Sequence, residues 1–116
     1  MGETFTSIKI FGPGGSAELT SMVYTGATFT KIPKSVAEKV GIKTRRKVLV
    51  QPSTGELIER ELGYVEIELE GVRDIVPVTV ASEDEPTVIG YTTLEILGFK
   101  VDPLRRKLEK THPIEY

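Results

Sequence analysis

The segment MVYTGATFTKIPKSVAEKVGI, residues 22–42, decides the fold. Met22 and Val23 close an apolar strand, Thr25-Gly26-Ala27 make a tight turn, and Phe29 and Ile32 lead to Pro33 at the first position of a helix, where a missing N–H is harmless. Val36, Ala37 and Val40 share one face of that helix, and Gly41 stands where a left-handed stop belongs. About two turns of helix result. The residue leading into the turn is the odd one. A polar, glycine-hinged turn is suited to holding a reactive group, yet Tyr24 supplies only a phenol, which titrates near 10 and is a neutral hydroxyl at ordinary pH.

Upstream, Thr4–Phe11 alternates β-branched and aromatic residues, GPGGS (residues 12–16) breaks the pattern, and Ala17–Tyr24 resumes it, which predicts a hairpin. Downstream, KVLVQPSTGELIERELGYVEIELEG (residues 47–71) predicts a strand over 48–51, a turn cluster at Pro52-Ser53-Thr54-Gly55 and a long second arm over 56–70. In that arm Val65, Ile67 and Leu69 alternate with Glu66, Glu68 and Glu70, so one face is buried and the glutamates face water. Asp74–Ala81 returns as a strand whose Pro77 points to an edge or a bulge. After the acidic loop SEDEP comes TVIGYTTLEILGFKVDP, residues 87–103. Val88-Ile89 is a short buried strand ending at Gly90, Thr92 or Thr93 caps a helix through Leu97, Gly98 stops it, and Phe99–Val101 is a last strand. The succession strand, glycine, short helix, glycine thus occurs twice.

Composition narrows the chemistry. A chain of 116 residues has the size of one domain with a modest core. Lys and Arg number 15 against 17 Asp and Glu, a net charge of -2, so no overall field draws nucleic acid or an anionic membrane. The basic run Lys43–Lys47 reads as an exposed connection after the helix. LRRKLEKTH near the end reads as charges in water with Leu104 and Leu108 packed. No apolar run approaches the roughly 20 residues that span a bilayer, and no basic-then-apolar leader opens the chain, so a soluble, cytoplasmic protein is expected. Cysteine is absent, which excludes disulfides, thiolate catalysis and thiolate metal sites. The one histidine, His112, lies beside Pro113 and reads as a solvated or tag-like residue, since a metal site needs converging ligands. No cofactor or metal is expected. The absence of Asn, a single Gln (Gln51) and 28% charged residues lean toward an organism living hot. GPGGS lacks the Gly-Lys-Ser/Thr ending of a phosphate loop and is followed by a strand, so it is a hairpin turn.

Residues 22–42 and 87–103 together resemble the retropepsin-like aspartic proteases, the single-domain relatives of retroviral proteases and pepsin lobes. Their signature is two apolar residues, Asp, Thr or Ser, Gly and Ala, followed much later by an apolar-apolar-Gly segment leading into a short helix. Met22-Val23-Tyr24-Thr25-Gly26-Ala27 matches at every position but the acid, and Val88-Ile89-Gly90 supplies the second segment. The resemblance implies a mostly β fold, a closed or folded β-sheet barrel of the acid-protease type with two short helices. It further implies one domain over 1–116, a flap hairpin at about 47–70 with its tip near Ser53–Gly55, and a homodimer whose two chains each form half of a groove for a peptide or unfolded polypeptide. In the family two aspartates share a proton, one activating water while the other donates to the scissile carbonyl. By the same resemblance Thr25 locks the two turns across the dimer axis, Gly26 allows close backbone approach, and Ala27 keeps the groove floor small. Ser53, Thr54 and Gly55 lie over the substrate, and Val88, Ile89 and Gly90 pack behind the turn.

Tyr24 stands where the family has its acid. The other aspartates have plain structural readings: Asp74 after a turn, Asp84 in the acidic loop, Asp102 before Pro103. Three readings of Tyr24 follow. The chain is a protease scaffold silenced by an Asp-to-Tyr change that one base substitution can produce; or it is a peptide-binding groove with Tyr24 as an aromatic anchor; or it is a dimerisation module with Tyr24 in the subunit contact.

Overall fold

The computed structural model describes residues 3–52, 54–82 and 85–116. Along the chain they form β1 (Thr4–Gly12), β2 (Gly15–Val23), β3 (Thr30–Pro33), α1 (Lys34–Val40), β4 (Thr44–Val50), β5 (Ile58–Leu69), β6 (Val72–Ala81), β7 (Val88–Ile89), α2 (Tyr91–Leu97), β8 (Phe99–Asp102) and β9 (Lys107–Lys110). Seven strands hydrogen-bond in the order β1-β2-β7-β3-β6-β5-β4, and β1 also pairs with β5, so that six of them close a ring and β4 stands outside it. The fold is thus mostly β with two short helices, compatible with the folded acid-protease sheet.

The closure depends on the length of β5. Its twelve residues pair with β6 along one edge, while its other edge takes β4 from Ile58 to Gly63 and β1 from Glu66 to Leu69. The predicted alternation is what makes this possible. Val65, Ile67 and Leu69 point to the interior with Ile8, Ile10, Val76 and Val78, all at most 5% exposed, while Glu66 faces out and pairs with Arg73 at 2.9 Å. Ala37 and Val40 of α1 and Leu94 and Leu97 of α2 join the same core.

β7 has the topological role that matters most for the site. It is inserted between β2 and β3, parallel to the first and antiparallel to the second, so it runs beneath the segment joining them. Pro77 pairs opposite Tyr64 on β5, one residue before the β3 ladder begins at Val78, where β6 has a partner on one side. That is the edge position its missing N–H requires.

Several local expectations need correction. Pro33 is the last residue of β3 and the N-cap of α1, with ψ 150°, not the first helical residue: the parallel pairing of Thr30–Pro33 with Val78–Ala81 holds it extended. Neither Thr92 nor Thr93 caps α2. Gly90 is the N-cap, and Thr93 is buried inside the helix. The run from Thr44 to Lys47 is not a connection but the first half of β4, because pairing with β5 outweighs its polarity, with a register shift between Thr44 and Arg46. Leu104 is 90% exposed in the turn that joins β8 to β9, whereas Leu108 is buried as expected. The two glycine stops hold: Gly41 and Gly98 are left-handed, with φ of 77° and 82°. GPGGS is a hairpin turn, and its glycines serve packing. Gly14 N–H donates to Val40 O at the end of α1, and a β-carbon at Gly12 would overlap that same carbonyl.

Candidate functional site

The turn after β2 is built almost wholly from backbone hydrogen bonds to the segment around β7. Tyr24 N–H donates to Ile89 O at 3.0 Å, and Ala27 N–H closes the turn on Tyr24 O at 3.1 Å. Tyr91 N–H donates to Ala27 O at 2.7 Å and Thr92 N–H to Thr28 O at 3.0 Å, so the first N–H groups of α2, which have no partner within the helix, are satisfied by the loop. Below it the Thr30 hydroxyl accepts from Gly90 N–H at 3.1 Å and lies 2.5 Å from the Thr93 hydroxyl, both threonines fully buried. A hydroxyl offers one donor and two acceptor directions, and this pair uses them where water cannot reach.

Gly90 lets the two segments touch. A β-carbon there would lie 2.5 Å from the backbone carbon and oxygen of Phe29. Gly26 is free of side chain for a different neighbour. Tyr24 folds its ring back over the turn, and a β-carbon on Gly26 would lie 2.7 Å from Tyr24 Cζ and 2.8 Å from its hydroxyl oxygen. Tyr24 is nonetheless 56% exposed, an apolar ring presented to solvent.

Above the turn lies a cleft of about 500 Å³. Tyr24, Gly26 and Ala27 line it with Thr28, Phe29 and Val88, and Leu49, Val50, Gln51 and Pro52 line it from the β4–β5 hairpin. The structure therefore brings together Tyr24, Gly26, Ala27 and Val88 among the residues singled out from sequence. Ile89 and Gly90 lie behind the turn, as buried support, and Thr25 is exposed on it. Thr54 and Gly55 sit at the hairpin tip, where Gln51 Nε2 donates to Gly55 O at 3.3 Å, and they do not line the cleft. Ser53 and Asp84 lie outside the described residues.

Sequence reasoning missed the cleft's polar wall. Lys31 from β3, Arg60 and Ile58 from β5, Thr79 from β6 and Glu85 ahead of β7 complete the lining. Arg60 Nη2 donates to Glu85 Oε1 at 2.5 Å and Lys31 Nζ to the same oxygen at 3.3 Å. Glu85 Oε2 accepts from the Ser82 hydroxyl at 2.6 Å and the Ser82 N–H at 3.2 Å. The Arg60 guanidinium above all, helped by Ser82 and Lys31 and opposed by partial burial, holds the Glu85 carboxyl well below its usual range, at about 2. No local pattern links residues 25 and 54 positions apart; only the acidic loop SEDEP hinted at the carboxylate.

A larger groove of about 1230 Å³ runs between Phe11–Pro13, Gly41–Arg46 and Tyr64–Glu66, but none of the candidate catalytic or substrate-binding residues lines it. Its two rings each carry a guanidinium, Arg73 lying 3.6 Å over Phe11 from outside the lining and Arg45 5.7 Å over Tyr64. Among the described residues no group of three His, Asp or Glu side chains could hold a metal ion, and no helix is long and apolar enough to cross a membrane.

The sequence matches the aspartyl protease family over residues 7–101, a span that runs from β1 into β8 and takes in both turns and the hairpin. A fold whose sheet closes around a Thr-Gly-Ala turn, with a match over most of its length, defines the class: the chain belongs to the aspartyl protease family. No match is found among curated proteins.

Proposed function

We propose that this chain is an aspartyl protease scaffold in which Tyr24 occupies the position of the catalytic acid, so that its cleft holds an extended peptide without hydrolysing it by the family's two-carboxylate route. One observation carries the reading: Tyr24 heads the Thr25-Gly26-Ala27 turn, is tied through its N–H to Ile89 O, and lines the cleft. General base catalysis needs a group whose pKa lies near the working pH and which reaches the attacking water. A phenol is neutral there and holds its proton. Glu85, the one acid among the described lining residues, titrates at about 2 and is engaged by two cations and Ser82, which leaves it a very weak base. The exposed ring of Tyr24 is instead suited to pack against a bound chain. A second copy of the chain facing the exposed Tyr24-Thr25-Gly26 turn would complete the groove as a homodimer.

The test is restoration. Tyr24→Asp is expected to cleave unfolded polypeptide at acidic pH with inhibition by pepstatin, while the unmodified chain is inert and sediments as a dimer. A folded, dimeric Tyr24→Asp chain with no cleavage of a broad peptide library would overturn the assignment of Tyr24 to the acid position.

A further inference from the structure

Among the described residues, the polar wall of the cleft carries more positive charge than its carboxylate neutralises. Lys31, Arg60 and Glu85 are the charged side chains among the described residues that line the cleft, two cations against one anion. Both cations bond the same oxygen of Glu85, and its other oxygen is taken by Ser82. Glu85 therefore has little acceptor capacity left, while Arg60 has most of its five N–H donors and Lys31 most of its three still available in these contacts. The wall is also sheltered, with side-chain exposures of 13% for Arg60 and 26% for Lys31, so an ionic partner there is screened less than at an open surface. Around it Phe29, Leu49, Val50 and Ile58 supply apolar surface, interrupted by the uncharged polar side chains of Thr28, Gln51 and Thr79.

We infer that Lys31 and Arg60 form a side-chain subsite for a carboxylate, so that the peptide held in this cleft is an apolar extended segment carrying one acidic side chain at the position that reaches this wall. The inference rests on the peptide-binding reading proposed above. A glutamate there gains charge-assisted hydrogen bonds from a guanidinium and an ammonium, which are shorter and stronger than those of an amide. A glutamine of the same shape gains only neutral acceptance, and a lysine meets two like charges. Glu85 is a positioning residue in this arrangement, since it holds Lys31 of β3 and Arg60 of β5 together against the cleft.

The experiment measures fluorescence anisotropy on the unmodified chain with labelled apolar hexapeptides that carry Glu, Gln or Lys at each position in turn. At one position the Glu peptide is expected to bind about tenfold tighter than its Gln counterpart, with the Lys peptide weakest. Raising salt from about 50 mM to about 500 mM should shrink that ratio. Lys31→Glu, checked by circular dichroism for folding, should reverse the order so that the Lys peptide binds best. Equal affinity for the Glu, Gln and Lys peptides at every position on the unmodified chain overturns the inference and leaves peptide binding standing. Failure of every peptide to bind overturns both.

Discussion

The two glycine turns of this protein share one pattern and differ in what they expose. In the first, β2 runs into Tyr24-Thr25-Gly26, all exposed, before β3 and α1 begin. In the second, Val88, Ile89 and Gly90 are all buried, and α2 starts directly at Tyr91. Each helix ends on a left-handed glycine. The difference lies in the strand between: β7 is inserted under the first turn and offers Ile89 O to Tyr24 N–H, while Tyr91 and Thr92 just beyond it donate their N–H groups to Ala27 O and Thr28 O. One turn presents a side chain to the cleft, and the other is scaffold. A side chain at the first is therefore cheap to change, whereas a single methyl group at the second is not.

The sharpest test of that contrast substitutes alanine at both glycines. Gly90→Ala places a β-carbon against the Phe29 backbone, which cannot move without breaking the bonds from Tyr91 and Thr92, and is expected to destabilise by on the order of 3 kcal/mol or more in urea titration. Gly26→Ala meets only the far end of the Tyr24 ring, so it should cost under about 1 kcal/mol and swing that ring aside, visible as changed tyrosine fluorescence. Equal losses at the two positions would break the comparison.

Between these extremes, Thr30→Val strips the partner from the buried Gly90 N–H and the Thr93 hydroxyl, and a loss of about 2 kcal/mol is expected. Thr30→Ser keeps the oxygen and should recover most of it. Glu85→Gln should cost about 1–2 kcal/mol at neutral pH after allowance for partial exposure. The sign follows from the depressed pKa. The folded carboxyl titrates at about 2 against an ordinary 4.5, so its contribution is complete above 4.5 and disappears as pH falls through 2. The stability gap between the two chains should close over that window in chemical denaturation. Tyr24→Phe, which keeps the exposed ring and removes only a hydroxyl, is expected to change stability by less than about 0.5 kcal/mol.

Much of the scaffold was legible because it rests on local rules. The hairpin of β1 and β2, the alternation of β5, the short strand β7 and both glycine stops follow from period, turn chemistry and left-handed backbone, which neighbouring residues specify among themselves. The misreadings fall where a distant strand overrode local preference. Pro33 has the makings of a first helical residue until β6 lies beside Thr30–Pro33 and holds it extended, and Thr44–Lys47 became a strand by pairing with β5. Thr93 has the composition of a cap and the location of a buried hydrogen-bond partner, a choice made by Thr30, 63 residues away.

The sequence by itself determined the Tyr24-Thr25-Gly26-Ala27 turn and the succession of apolar strand, glycine and helix that recurs at Val88-Ile89-Gly90, since these are properties of contiguous residues. Only the tertiary structure decided that the second segment lies beneath the first, that the Tyr24 ring folds over Gly26, and that Lys31, Arg60 and Glu85 meet in one wall of the cleft. Hydrogen bonds and ion pairs between residues dozens of positions apart leave no periodic trace in a chain; they exist once the sheet has closed.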